Sequence, residues 1–128
     1  MPATKTRVPS TIRRSPRKAQ RTWRKVRDHA EQEYGSGERA NRTAYAVLKH
    51  GFEKRGNHWE PKEHPGPSDP RSTKSTREKR KGRGETFGGV DYFGHSKKEL
   101  YERAKRLGVR GRSRMSKKQL ARAIERKQ

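Results

Sequence analysis

The sequence predicts an all-α protein in which two small helical modules are joined by a disordered basic linker. Three observations lead there. Apolar residues recur at helical spacing near both ends of the chain. Two serine-led helix starts of the same pattern stand close together in the C-terminal part. The middle is rich in proline, lysine, arginine and glycine and carries no hydrophobic repeat. Composition sets the scale: of 128 residues, 36 are Lys or Arg and 14 are Asp or Glu, a net charge of +22, and 24% are apolar. Leu, Ile, Val and Phe number only 14. That share, at this charge, excludes one well-filled core of the full length.

Residues 1–7 read as a disordered basic arm, and 8–60 as the first module. Val8-Pro9-Ser10-Thr11-Ile12 allows one helical turn, and Ser15 followed by Pro16 reads as an N-cap with proline at the first helical position. From there Ala19, Trp23, Val26, Ala30 and Tyr34 fall on one helix face. Gly35-Ser36-Gly37 ends the helix, with Ser36 placed to cap the next. Ala40, Ala44, Val47, Leu48 and Phe52 then repeat at helical spacing as far as Gly56. The short connection makes the two helices antiparallel neighbours, with Trp59 folding back on them.

Residues 61–94 form the linker. Pro61, Pro65, Pro67 and Pro70 precede a Ser/Thr/Lys/Arg run that ends at Lys79-Arg80-Lys81-Gly82-Arg83-Gly84, which reads as an extended, mobile spacer. Residues 95–128 form the second module. Ser96-Lys97-Lys98-Glu99 and Ser116-Lys117-Lys118-Gln119 are capping boxes. Leu100, Ala104 and Leu107 follow the first, with Gly108 as a stop, and Leu120, Ala123 and Ile124 follow the second. Val109 and Met115 are placed to fill the space between the helices. A helix–loop–helix this short is near the lower limit for folding alone, and Gly88-Gly89-Val90-Asp91-Tyr92-Phe93 is placed to pack aromatics on it.

A polyanion is the default partner for so basic a chain. The charge follows the helical parts: residues 1–60 carry net +9, 61–94 net +3 and 95–128 net +10. The densest candidate is Arg110, Arg112 and Arg114 leading into Lys117 and Lys118, with Lys97 and Lys98 at the other capping box. Lysines in a first turn oppose the helix dipole, and an anion held there would offset the cost. The alternative is an idle basic turn, and a third reading takes Arg110-Gly111-Arg112 as a minor-groove hook. A second cluster is Arg13, Arg14, Arg17, Lys18 and Arg21, continued by Arg24 and Lys25: a solvated helix face or a phosphate-tracking one. In the linker, Lys79, Arg80, Lys81 and Arg83 read as solvated spacer or as direct phosphate contacts. Trp23, Trp59, Tyr34, Tyr45 and Phe52 read as core, while Tyr92 and Phe93 are more open to base stacking.

Residues 8–60 resemble the ChaB family of small helical proteins. Carrying the likeness are Val8-Pro9, Pro16-Arg17-Lys18-Ala19-Gln20, the run Thr43-Ala44-Tyr45-Ala46-Val47-Leu48-Lys49-His50-Gly51-Phe52-Glu53-Lys54, and the trailing Trp59. That resemblance implies a helical domain with a possible protein partner, under a family label of cation-transport regulation to which no residue here gives a mechanism. Residues 95–128 resemble the helical domain at the N-terminus of transcription terminator Rho, itself similar to SAP modules. Leu100, Ala104, Leu107-Gly108-Val109, Arg114 through Gln119-Leu120, and Ala123-Ile124 carry this second likeness. SAP modules bind DNA with the helix–loop–helix itself. In Rho the RNA cleft belongs to a β-barrel that follows, so its contacts are not carried over.

The expected function is non-enzymatic binding of nucleic acid, DNA before RNA, through phosphates, as a cytoplasmic nucleoid-associated or accessory factor. A ChaB-type interaction adaptor and an RNA- or ribosome-associated factor are the alternatives. No nucleophile–base order, phosphate loop or carboxylate pair points to an enzyme, and no cofactor is implied. His58 and His64, the only histidine grouping, lack a zinc-site frame. With no cysteine there is no disulfide framework. No apolar run of membrane length and no secretory leader are present in the sequence, and stable membrane anchoring is not expected.

Overall fold

The computed structural model describes residues 8–35, 37–81 and 84–128. Two prolines organise its N-terminal end. Pro9 caps α1 (Ser10–Arg13) and Pro16 caps α2 (Arg17–Tyr34), both with extended backbone. Ser15, expected as the cap, has another task. It is buried, donates its hydroxyl to the Thr11 carbonyl at 2.7 Å and accepts the Trp59 N–H at 2.7 Å. A buried N–H without an acceptor is costly, and Ser15 supplies that acceptor.

Helix α3 (Glu38–Gly51) starts from Gly37, whose φ of +120° favours glycine; the proposed Ser36 cap lies outside the described residues. Helices α2 and α3 run antiparallel, as three cross-contacts show. Trp23 meets Tyr45 edge-on at 5.9 Å, Arg27 Nε donates to Asn41 Oδ1 at 2.7 Å, and the Arg39 guanidinium covers the Tyr34 ring at 3.8 Å. Tyr34 and Val47, expected in the core, are 40% and 45% exposed. Both lie on helix flanks that no other element covers enough to bury.

The all-α expectation is corrected after Gly51. Phe52–Arg55 forms β1 and His58–Pro61 forms β2, an antiparallel pair with Phe52 opposite Pro61 and Arg55 opposite His58. Gly56 takes φ +66° and Asn57 does not have a positive φ, the pattern of a two-residue hairpin turn with glycine first. The hairpin brings Phe52 and Trp59 onto α1 and α2. There Val8, Ile12, Ala19, Trp23, Ala44 and Leu48 complete one apolar core.

The expected solvated spacer is corrected next. The described residues of 61–94 include a 3₁₀ turn (Pro70–Thr73) and α4 (Thr76–Arg80), and parts of them pack on the hairpin and on the C-terminal helices. Ser68 and Asp69 are buried, and Phe87 and Val90 are 0% exposed. Backbone bonds fasten the segment: Gly66 N to the His50 carbonyl, Lys54 N to the Gly89 carbonyl, and Phe93 N to the Ser68 carbonyl. Gly89, at φ +91°, lies so near Trp59 and Lys54 that any Cβ there would collide with them.

Helices α5 (Lys97–Arg106) and α6 (Lys117–Lys127) begin at Ser96 and Ser116, and both capping boxes are formed reciprocally. Between them lies a 3₁₀ turn, Arg112–Arg114. Leu100, Ala104, Val109, Leu120, Ala121, Ala123 and Ile124 make the second core, with Met115 and Leu107 half-buried at its edge. Phe87 and Val90 belong to this core as well. A unit too small to bury enough by itself is thereby enlarged by the segment before it. Burying each Leu- or Phe-sized side chain contributes about 1.5–3 kcal/mol, so the added pair matters.

Candidate nucleic-acid interface

The N-terminal cluster is placed as an open face. Arg13 ends α1, and Arg17, Lys18, Arg21, Arg24 and Lys25 lie on the side of α2 away from Ala19, Trp23 and Ala30. All of these cations, with Arg14 between the helices, are exposed. The salt bridges among the described residues leave them out; the one cation of α2 so paired is the buried Arg27, with Glu31 at 2.8 Å. Helix geometry explains the separation, since residues of one apolar stripe leave the intervening positions to solvent.

The C-terminal cluster is divided. Arg110 and Arg114 are exposed. Arg112 is turned inward, donating to the Val109 carbonyl at 3.0 Å, with its guanidinium 5.4 Å from the Tyr101 ring centre. Lys117 sits over Tyr92 at 4.5 Å. Lys118 is bound to Glu85 at 3.0 Å, and Arg122 shares that carboxylate. The five residues therefore do not form one anion cradle: three have intramolecular partners. Sequence reading missed Glu85, whose pKa is lowered by the hydrogen bonds from Lys118 and Arg122. Lys97 and Lys98 stand exposed in the first turn of α5. Lys79 and Lys81 are exposed at α4, Arg80 is its last residue, and Arg83 lies outside the described residues. Of the aromatics considered for stacking, Tyr92 packs on Phe87 at 5.0 Å beneath Lys117, and Phe93 is 48% exposed.

A buried ion cluster joins the hairpin to the C-terminal helices. Glu53, 3% exposed on β1, accepts from His95 Nε2 at 2.6 Å and from Arg55. Arg103 of α5 lies 3.6 Å from the same carboxylate and donates to the Lys54 carbonyl at 2.6 Å. Burial works to raise the Glu53 pKa, but the bonds from His95 and Arg55, with the charges of His95 and Arg103, hold it at about 2. The Glu53 bond in turn raises the His95 pKa, against burial and with help from Glu99. Desolvation lowers the Arg103 pKa. Glu53, Asp91 and His95 bring one potential ligand atom each within 4.8 Å of one another. Arg55, Arg103 and Lys62, the last 3.5 Å from Asp91, already supply the positive charge a metal ion would bring. The geometry is that of an ion-pair network. His58, by contrast, meets Glu60 at 2.9 Å, and His64 is exposed beside Glu63. Among the described residues no helix is long and apolar enough to cross a membrane.

Comparison with known proteins bears on the first of these parts. Neither the curated proteins nor the solved structures give a match to the chain. The model of the ChaB family matches residues 8–62, which span α1, the α2–α3 pair and both strands. Over those residues, helical pair and hairpin together, the chain is similar to ChaB proteins.

Proposed function

We propose that the protein is a non-enzymatic nucleic-acid-binding factor that holds DNA through its phosphates, acting in the cytoplasm as a nucleoid-associated or accessory protein. One observation carries the reading. Arg13, Arg14, Arg17, Lys18, Arg21, Arg24 and Lys25 are exposed along one stretch of α1 and α2 and absent from the salt bridges among the described residues. Cations crowded without partners repel one another, and a polyanion relieves that repulsion while releasing its own counterions. Arg110, Arg114, Lys97 and Lys98 extend the positive surface onto the helix–loop–helix, whose resemblance to SAP modules supports the same reading. Fluorescence polarisation with labelled duplex DNA, single-stranded DNA and structured RNA of equal length tests it. Preference for the duplex at low salt is expected; a preference for structured RNA would favour a ribosome- or RNA-associated factor instead.

A second reading is a ChaB-type interaction adaptor, favoured by the family match over residues 8–62. Pull-down with and without nuclease separates the two. Partners lost on nuclease treatment support the nucleic-acid reading, and a stoichiometric partner that survives supports the adaptor.

A further inference from the structure

A cleft of about 1100 Å³ opens along α3, slightly larger than the usual range of small-molecule sites. The α3 side chains Arg42, Ala46 and Val47 line it from one side, and Arg71, Ser72 and Lys79 from the segment after the hairpin. The segment is held at the C-terminal end of α3 by Ser68 Oγ, which donates to the Lys49 carbonyl at 2.9 Å, and by Gly66 N, which donates to the His50 carbonyl.

Two properties of the cleft specify what it can hold. First, its charge is one-sided: among the described residues Arg39, Arg42, Lys49, Lys54, Arg71 and Lys79 line it against a single acid, Asp69. Asp69 is already engaged, since Oδ1 accepts from Ser72 N and Oγ and Oδ2 accepts from Thr86 Oγ1 at 2.9 Å. Lys49, largely desolvated, donates to Thr86 Oγ1 at 3.1 Å, one bond for an ammonium with three donors. Burial pushes its pKa down and Asp69 pushes it up.

Second, the uncharged part of the lining includes an open aliphatic patch, while most of its aromatic rings are packed away. Val47 is 45% exposed with Ala46 exposed beside it. The Tyr34 ring carries Arg39, Tyr45 is packed between Trp23 and Trp59, and Phe52 and Trp59 are buried. A nucleic-acid strand would find cations for its phosphates here, but Ala46 and Val47 offer its bases no ring to stack on. A peptide bearing carboxylates and aliphatic side chains matches both parts of the lining.

We propose that this cleft is a docking site for an acidic peptide segment of a partner protein, with aliphatic side chains against Ala46 and Val47 and carboxylates on Arg42, Lys49 and Lys79. The lining includes Thr11 and Thr22 of α1 and α2 but none of the exposed cations of the α1–α2 face.

The test uses the full chain and two fluorescein-labelled synthetic peptides of equal length and charge, one of interspersed glutamate and leucine, the other of glutamate and serine. The leucine peptide is expected to bind about tenfold more tightly. Val47→Glu, and separately Ala46→Glu, each checked for folding by circular dichroism, should weaken it by about tenfold. Either change should leave the affinity for labelled duplex DNA within about twofold, because neither removes a cation of the α1–α2 face. Equal binding of the two peptides, or leucine-peptide binding indifferent to both substitutions, overturns the proposal. So does a single-stranded oligonucleotide that displaces the peptide and is itself weakened by Val47→Glu, which would make the cleft a strand-binding site.

Discussion

His95 and Glu53 lie 42 residues apart in the chain and are joined by a 2.6 Å hydrogen bond from Nε2 to Oε2. With Arg103 on the same carboxylate, this bond fixes the strand pair to the start of α5. The parts of the chain that carry the two apolar cores are thus linked by charge chemistry at this point.

The junction makes stability depend on pH in a definite direction. The His95 pKa is raised above its ordinary 6.5, so its contribution is complete below that value and is lost as pH rises through the folded-state value. The Glu53 pKa is depressed from 4.5 to about 2, so its contribution is complete above 4.5 and is lost as pH falls through about 2. The pair is strongest between those limits. His95→Gln should lower the melting temperature by about 4–8 °C at about pH 6 and by much less at about pH 9. A melting series on both proteins checks this, and an equal drop at every pH would show that His95 acts by packing alone.

Ser15→Ala removes the acceptor for the buried Trp59 N–H and the donor to the Thr11 carbonyl. Urea unfolding should show a loss of about 1–3 kcal/mol. Were Ser15 an ordinary solvent-facing helix cap, glycine in its place would restore most of the loss. Here Ser15→Gly should be at least as damaging as alanine.

Gly89→Ala would place Cβ 2.6 Å from Trp59 Cη2 and 2.9 Å from Lys54 Cβ, at φ +91°. Gly35→Ala meets nothing within 4 Å at φ +82°. The Gly35 change should cost about 1–2 kcal/mol, for backbone strain alone. The Gly89 change should exceed it by about 1–3 kcal/mol, for overpacking. Denaturant midpoints of the two variants make the comparison, and equal costs would mean that residues 61–94 are not seated against the hairpin.

Glu85→Gln releases Lys118 and Arg122 from their shared carboxylate. If the helix–loop–helix contacts DNA, the variant should bind more tightly and its salt slope should steepen by about 0.9 for each phosphate gained. Arg110→Ala with Arg114→Ala should flatten it. Affinities measured over a salt series report both effects; no change in either direction would remove α6 and its preceding turn from the interface.

Legibility in the sequence followed the locality of the cause. Both capping boxes and the Ala19/Trp23/Ala30 and Ala40/Ala44/Leu48 stripes are set by spacing within one helix, and the structure has them. The hairpin was hidden because Phe52 continues the helical period of α3, so Gly56 read as a helix stop. The Gly56-Asn57 pair, flanked by short alternating runs, was the signal that could have exposed it. Residues 61–94 offered no period because their buried positions are scattered and partly polar: Ser68, Asp69, Phe87 and Val90. For the candidate interface, exposure of the α1–α2 cations was readable from the stripe opposite them. The pairing of Lys118 with Glu85 was not, since nothing local links residues 33 positions apart.

The central claim is that the α1–α2 face binds nucleic acid by neutralising phosphates. Its most direct measurement is the affinity for duplex DNA across a salt series, for the native chain and for the variant with Arg13, Arg14, Arg17, Lys18 and Arg21 all changed to alanine. The account predicts a steep linear fall of log affinity with log salt for the native chain. The variant's slope should be shallower by about 0.9 for each phosphate contact removed. No binding at low salt, or the same slope in both proteins, would contradict it.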